Sequence, residues 1–238
     1  MTLASAGPSA YWYLTRSSGA VAMLLLSGAV ALGVLDVQRV STARWPRFVL
    51  DSLHRNVSLL AVAFLGVHIL TSVLDSFAHI SLLDALIPFA GSYRPFWLGL
   101  GALAFDLLLA VTVTSLLRQR MGYRSWRAVH GLTYLSWPVA LLHGLGTGSD
   151  VKSSWLLALT ALCVLAVSAA VLVRVVAAWR VHRERAQVAL GAMAGFVLFL
   201  VLWLPNGPLG SEWARRSGTP SALLAHARVV GASRGSGR

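Results

Sequence analysis

Two apolar stretches of this chain each carry a pair of histidines at nearly the same spacing. The first pair is His54 and His68, and the second is His130 and His143. At a helical rise of 1.5 Å per residue, the members of each pair lie about 21 Å and about 19.5 Å apart, respectively. If the two helices run side by side in the same direction, the sequence predicts two bis-imidazole sites at different depths. His54 would face His130 at one level, and His68 would face His143 at the other.

Imidazoles within the hydrocarbon region need polar partners, and a metal accepts two neutral imidazoles at once. Haem suits such a pair because the porphyrin is large and apolar and takes axial ligands from facing helices. Zinc normally gathers three or four ligands at one depth, whereas each predicted level offers two. The chemistry therefore favours haem. Structural histidines that bond to a neighbouring helix, and a transport site, remain the alternatives.

The two pairs differ in the angle between their histidines around the helix axis. The step from His54 to His68 falls about 40° short of four turns, so both lie nearly on one face. The step from His130 to His143 falls about 140° short. Pro138 lies between them and removes a backbone donor. We therefore expect the fourth span to depart from straight α geometry between about Tyr134 and His143.

The composition places the chain among membrane proteins. Its 238 residues are 57% hydrophobic and only 12% charged, which is too apolar for a soluble domain of this size. The net charge of +12 comes from basic residues in short loops between apolar runs, which argues against nucleic-acid binding. The single cysteine, Cys163, excludes an internal disulfide and a multi-thiolate metal site.

The pattern predicts an all-α, polytopic protein whose six transmembrane helices form a bundle enclosing two stacked haems. The expected spans are 18–37, 54–74, 95–117, 126–144, 155–176 and 188–204. Residues 1–17 would form an external leader, since the first apolar run is too long for a cleaved signal. Residues 75–94 would form a surface or re-entrant cap. The breaker sequence after Leu204 would be followed by a flexible tail over 205–238, in which we expect His226 to be solvated.

The loop charges predict an orientation. Arginines cluster after the first, third and fifth spans, and basic loops favour the cytoplasmic side. The N-terminus is therefore expected outside, although arginines of the C-terminal tail weaken the pattern. His54 and His130 would then lie toward the cytoplasm. The richness in Arg, Ala, Gly, Val and Leu is typical of bacteria, which predicts a multi-pass protein of a bacterial plasma (inner) membrane.

Further polar residues are candidates for contact with the haems. Propionates are anionic, so basic residues near each level are candidate partners, with ordinary positive-inside charge as the alternative. For the inner haem these are Arg47, Arg55, Arg124 and Arg127, and for the outer haem Arg94 and Lys152. Aromatic side chains that would pack on the porphyrin or at the membrane interface are Trp126, Tyr134 and Trp137.

Asp106 lies near the middle of the third span, where a carboxylate is costly. It is either functional or held by hydrogen bonds from a neighbouring helix. Together with the histidines it allows an alternative of another class, a proton or metal transporter. Porphyrin absorbance of the purified protein would distinguish a haem protein from a transporter, since a transporter purifies without porphyrin.

Three segments, HRNVSLLAVAFLGVH, SYRPFWLGLG and WRAVHGLTYLSWPVALLHG, resemble the ferric reductase-like transmembrane domain. That superfamily includes the membrane parts of ferric reductases and NADPH oxidases and the haem-binding subunit of the methionine sulfoxide reductase system. The resemblance covers about residues 18–176. It implies that His54, His68, His130 and His143 ligate two b-type haems, which pass electrons from a cytoplasmic-side donor to an external acceptor.

The resemblance also implies a partner. Complete reductases of the family continue into a flavin and nicotinamide domain, and this sequence has no Gly-rich nucleotide fingerprint and no room for such a domain. We therefore expect an oxidoreductase-type electron-transfer subunit, with flavin only on a partner protein. The alternative in the same class is a quinol-oxidising cytochrome b subunit. The expected partners are the lipid bilayer, a flavoprotein or quinol donor, and an external acceptor.

Overall fold

The computed structural model of the protein describes residues 9–37 and 47–225. In this part of the chain the regular structure is helical, without a strand. The helices are α1 (Ala10–Val37), α2 (Arg47–Leu74), α3 (Leu82–Leu86), α4 (Pro95–Leu116), α5 (Tyr123–His130), α6 (Thr133–Thr147), α7 (Ser154–Ala178), α8 (Arg183–Asn206) and α9 (Trp213–Arg216). The predicted all-α class is confirmed for these residues.

Among the described residues, five helices are long and apolar enough to cross a membrane. They cover Ala10–Leu35, Phe48–Leu74, Pro95–Leu116, Ser154–Ala178 and Arg183–Asn206. These helices correspond to five of the six predicted spans. The membrane class is thereby confirmed, and the count of six spans is not.

The remaining predicted span, 126–144, is divided between two helices. α5 ends at His130, and α6 begins at Thr133. The 15 residues of α6 rise about 22 Å, which is less than the hydrocarbon thickness of about 30 Å. Backbone bonds across the junction reach back three residues, as from Leu132 N to Val129 O (2.9 Å), so the chain tightens there into a 3₁₀-type turn.

This interruption lies outside the range in which the sequence places a distortion. α6 remains helical through Pro138 and as far as Thr147. The break is at Gly131 and Leu132 instead. Glycine is a poor helix former, and this junction, rather than the proline, separates the helix of His130 from the helix of His143.

The chain divides into two compact units, and two of the four boundaries between them fall within α1 and α2. The first unit comprises the described parts of 1–18, 67–149 and 211–238, and the second comprises the described parts of 19–66 and 150–210. In the first unit α4 packs against α3, α5 and α6, and in the second α7 packs against α8. Cys163 is buried in the second unit, as expected for a small apolar side chain.

Polar side chains inside the helices bond to their own backbone. The hydroxyls of Ser18, Ser27 and Thr71 each donate to the carbonyl four residues earlier, at 2.6–2.8 Å. All three residues are buried. Such bonds satisfy hydroxyl donors where no water is present, so these residues are compatible with a membrane span.

The ends of the chain differ from the sequence expectation. α1 begins at Ala10, eight residues before the predicted first span. In the predicted tail, α8 continues to Asn206, and α9 forms at Trp213–Arg216. Described residues from 211 onward belong to the first unit. Residues 226–238, with His226, lie outside the described residues.

Candidate functional site

His68 and His143 meet inside the first unit. The centroids of their rings are 6.2 Å apart, and the ring planes make an angle of 81°. His68 lies on α2 and His143 on α6, and both side chains are half-buried. This pair is the predicted outer pair, so the structure brings together two residues that are 75 positions apart in the sequence.

Both rings are fixed by the same kind of hydrogen bond. His68 Nδ1 donates to Thr15 O (2.8 Å), and His143 Nδ1 donates to Trp97 O (2.9 Å). Because a carbonyl only accepts, each Nδ1 must carry the proton, and each neutral imidazole then has its lone pair on Nε2. Metal-bound histidines commonly donate the other ring N–H to a backbone carbonyl in this way.

The separation of the rings fits two imidazoles on one metal. A metal–imidazole bond is about 2 Å long, and the nitrogen lies about 1.1 Å from the ring centre, so trans ligands have ring centres about 6 Å apart. The observed 6.2 Å agrees with that value. Within residues 9–37 and 47–225 there is no cluster of three or more His, Cys, Asp or Glu side chains suited to a metal ion. The spacing of the pair is therefore compatible with two imidazole ligands on one metal ion.

Thr15 holds His68 in two ways. Its carbonyl accepts a hydrogen bond from the ring N–H of His68, and its hydroxyl donates to Thr71 Oγ1 (2.9 Å). Thr71 is buried, lies one helical turn after His68, and donates to Val67 O (2.8 Å). The N-terminal part of α1 therefore sets the orientation of a ring on α2.

His54 lies in the second unit and makes a similar bond. Its Nδ1 is 2.9 Å from the carbonyl oxygen of Ala29, on α1. The ring is half-buried rather than solvated at the helix entrance. This environment is that of an oriented histidine.

His130 lies in the first unit, at the C-terminal end of α5. Its ring stacks on Trp126 with centroids 4.9 Å apart. Its Nδ1 is 3.4 Å from Ser115 Oγ, and Trp126 Nε1 donates to the same oxygen (3.3 Å). His130 and His54 belong to different units.

Arg94 is almost fully buried, with 4% of its surface exposed. Its Nη1 donates to Gly146 O (2.9 Å) and Thr147 O (3.1 Å), and its Nε donates to Thr219 Oγ1 (3.0 Å). Carbonyls in the last turn of a helix have no partner within the helix, so Arg94 caps α6. Burial lowers the pKa of the Arg94 guanidinium, but arginine stays protonated in proteins.

The other predicted contacts lie in varied surroundings. Trp137 is buried and Tyr134 is exposed. Asp106 is half-buried on α4. Lys152 is exposed in the second unit and donates to Gly210 O (3.2 Å). The side chains of Arg55, Arg124 and Arg127 are exposed, and Arg47 begins α2.

Sequence reasoning missed the acceptors that orient the histidines. Thr15, Ala29 and Trp97 each contribute a backbone carbonyl, which no side-chain pattern reveals. Glycines give a readable signal, since Gly33 and Gly101 follow Ala29 and Trp97 by four residues. A glycine one turn after a carbonyl leaves that carbonyl accessible to a side chain from another helix.

The chain matches a known family over a little more than half of its length. The model of the ferric reductase-like transmembrane component matches residues 18–141 of 238. The matched range contains His54, His68 and His130, and it ends two residues before His143. Comparison with curated proteins and with solved structures gave no match. Membership of this family indicates transmembrane electron transfer, and the chain belongs to the ferric reductase-like transmembrane family.

Proposed function

We propose that the chain conducts electrons across the membrane through b-type haem. His68 and His143 would hold one haem on the external side. The observation that carries this proposal is their ring separation of 6.2 Å, with each Nδ1 bonded to a carbonyl. When bound, haem supplies an iron that changes its charge by one electron. Two imidazoles on one iron would suit electron transfer rather than the binding of a substrate at the iron.

A second haem on His54 and His130, toward the cytoplasm, completes the proposed conduit. It is supported by the matched spacing of the histidines along the sequence and by the bond between His54 and Ala29 O. In this proposal α5 and α6 together make the fourth of six membrane crossings, which brings the count to the predicted six. Bacterial origin, the inner membrane and an external N-terminus belong to the same proposal.

The chain's own residues provide the surroundings that a haem needs. Nδ1–H bonds to Thr15 O and Trp97 O fix the tautomer that has its lone pair on Nε2, and they raise the basicity of Nε2. Arg94 remains the proposed propionate partner at the outer haem, since Gly146 and Thr147, which it caps, closely follow His143. Lys152 is the other proposed outer contact, and Arg47, Arg55, Arg124 and Arg127 are the proposed inner contacts.

The electron donor must come from outside these 238 residues, because they contain no Gly-rich nucleotide fingerprint. We propose a flavoprotein or a quinol on the cytoplasmic side and an acceptor molecule or protein on the external side. A flavoprotein would make the chain the membrane subunit of a reductase system. Reduction of the purified chain by a quinol analogue alone would favour the quinol-oxidising alternative.

The first test is the colour of the purified chain. Expressed with sufficient haem and purified in detergent, it should be red, and dithionite should sharpen its visible bands as for a low-spin b-type cytochrome. The pyridine haemochrome assay should give about two haems per chain. A monodisperse but colourless chain would contradict the proposal and favour the transporter alternative.

The second test concerns orientation. Reporters fused after Met121, between α4 and α5, or after Glu184, in the first turn of α8, should read cytoplasmic. One fused near Ser149, between α6 and α7, should read external. The opposite readings would place His68 and His143 on the cytoplasmic side and reverse the proposed direction of electron flow.

A further inference from the structure

Gly101 lies directly against the ring of His143 in the first unit. A Cβ added at Gly101 would lie 2.5 Å from both Nδ1 and Cε1 of that ring, and 2.9 Å from Cγ. Real Cβ atoms essentially never make contacts under 3.0 Å. The imidazole therefore occupies the space that a side chain at position 101 would need.

The ring of His143 cannot simply turn away from such a side chain. Its Nδ1 is bonded to Trp97 O at 2.9 Å, so a shift of the ring weakens that bond. Trp97 is also held in place: its indole occupies the space beside Gly146, and its centroid is 5.3 Å from that of Trp213. Moving the ring from 2.5 Å to an ordinary contact of 3.4 Å requires a displacement of 0.9 Å.

The geometry of an α-helix explains why the glycine comes four residues after the acceptor. The carbonyl of residue i points along the helix toward residue i+4, whose N–H it accepts. A carbonyl oxygen has a second lone pair, which a ring N–H from another helix can use. To reach it, the ring must pass close to the Cβ position of residue i+4, and glycine leaves that position empty.

The same arrangement occurs at His54 in the second unit. His54 Nδ1 is 2.9 Å from Ala29 O, and a Cβ added at Gly33 would lie 3.2 Å from His54 Cε1. The third carbonyl acceptor, Thr15, is followed by Gly19 in the sequence at the same spacing. Glycine makes up 21 of the 238 residues, so composition alone does not account for a glycine at all three positions.

We infer that a helix carbonyl and the glycine four residues later form a carbonyl–glycine notch that positions a histidine ligand. Gly101 is then a positioning residue for His143, and Gly33 is one for His54. The identity of the bound haem rests on the proposed function, whereas the contact between notch and ring does not. Because ring orientation and the Nδ1 bond tune a ligand's basicity, the notch should set haem retention and midpoint potential.

The test compares three alanine variants of the full chain in detergent. Gly101→Ala should lose one of the two haems, or convert it from low spin to high spin. Gly144→Ala is the matched control, because it is adjacent to His143 and an added Cβ meets nothing within 4 Å. It should keep the unmodified chain's haem content, spectrum and midpoint potentials.

Gly33→Ala provides a graded second case, since its contact of 3.2 Å needs a shift of only 0.2 Å to reach 3.4 Å. It should fold, keep both haems and shift the midpoint potential of one of them. This variant decides the question if Gly101→Ala does not yield monodisperse protein. Wild-type haem content, spectrum and potentials in both folded variants, or in Gly33→Ala when it alone folds, would overturn the inference.

A haem-free readout separates this inference from the proposed function. In ¹⁵N-histidine-labelled protein, Gly101→Ala should weaken the Nδ1–H hydrogen bond of His143, and Gly144→Ala should not. If the unmodified chain binds no haem, the proposed function fails. The ¹⁵N spectrum still tests whether Gly101 positions the ring of His143. An unchanged His143 signal in folded Gly101→Ala would overturn the notch itself.

Discussion

The His143→Ala variant should retain about one haem per chain instead of about two, and it should no longer pass electrons across the membrane. The substitution would remove one ligand of the proposed outer haem and leave a cavity between α4 and α6. Loss of an outer-shell partner alone typically costs about 10–100-fold, so loss of the ligand should slow transfer by more than about 100-fold. Pyridine haemochrome titration and dye reduction in proteoliposomes measure the two effects.

The four ligand positions should behave as two pairs. His68→Ala should match His143→Ala, and both should leave the inner haem low-spin. His54→Ala and His130→Ala should remove the other haem. His182, exposed before α8, provides a control whose replacement should change neither quantity. A ratio of one haem in the unmodified chain, unchanged by His54→Ala, would contradict the two-haem proposal and leave a single haem on His68 and His143.

The Arg94→Ala variant should be less stable by about 3 kcal/mol, which corresponds to a fall in melting temperature of roughly 10 °C for a chain of this size. Arg94 is nearly fully buried and donates to two carbonyls at the end of α6 and to Thr219. Without the guanidinium, the carbonyls of Gly146 and Thr147 lose this partner. Tryptophan fluorescence during heating in detergent measures the change.

Two further variants make the Arg94 result specific. Arg94→Lys keeps the charge but offers a single ammonium in place of the planar fork, so its melting temperature should be intermediate. Lys152→Ala removes a basic side chain that is exposed, and it should shift stability by no more than about 0.5 kcal/mol. Equal melting temperatures for Arg94→Ala and Lys152→Ala would show that the buried contacts of Arg94 do not stabilise the fold.

The membrane class, five of the spans and the proximity of His68 and His143 could be predicted because apolar runs and histidine spacing are directly readable. The break before α6 could not be predicted, because it depends on short-range backbone hydrogen bonds around Gly131. Pro138, the more conspicuous residue, lies within the helix. α9 was also missed. Trp213 lies in a stretch whose composition resembles a solvated tail. Its indole nonetheless donates to Gly146 O (3.1 Å), on a residue far away in the sequence.

The carbonyls of Thr15, Ala29 and Trp97 illustrate a more general limit. Every residue has a carbonyl, so its identity does not show which one a histidine will reach. Tertiary packing selects the acceptor, and the sequence records that choice only through the glycine beside it. Gly101 is therefore as informative about the site as the charged residues Arg55 and Arg127, whose side chains are exposed.

The ring planes of His68 and His143 meet at 81°, and in the proposed outer haem this angle would govern the electronic structure of the iron. Each imidazole donates π density along the normal to its own plane. Parallel rings raise the energy of one of the two π-type iron d orbitals above that of the other. Nearly perpendicular rings raise the energies of both by similar amounts. Low-spin ferric iron bound by this pair would have two nearly degenerate orbitals and strong magnetic anisotropy. The electron paramagnetic resonance spectrum would therefore depend on the angle between the two ring planes. It would change when an imidazole rotates even if both ligands stay bound.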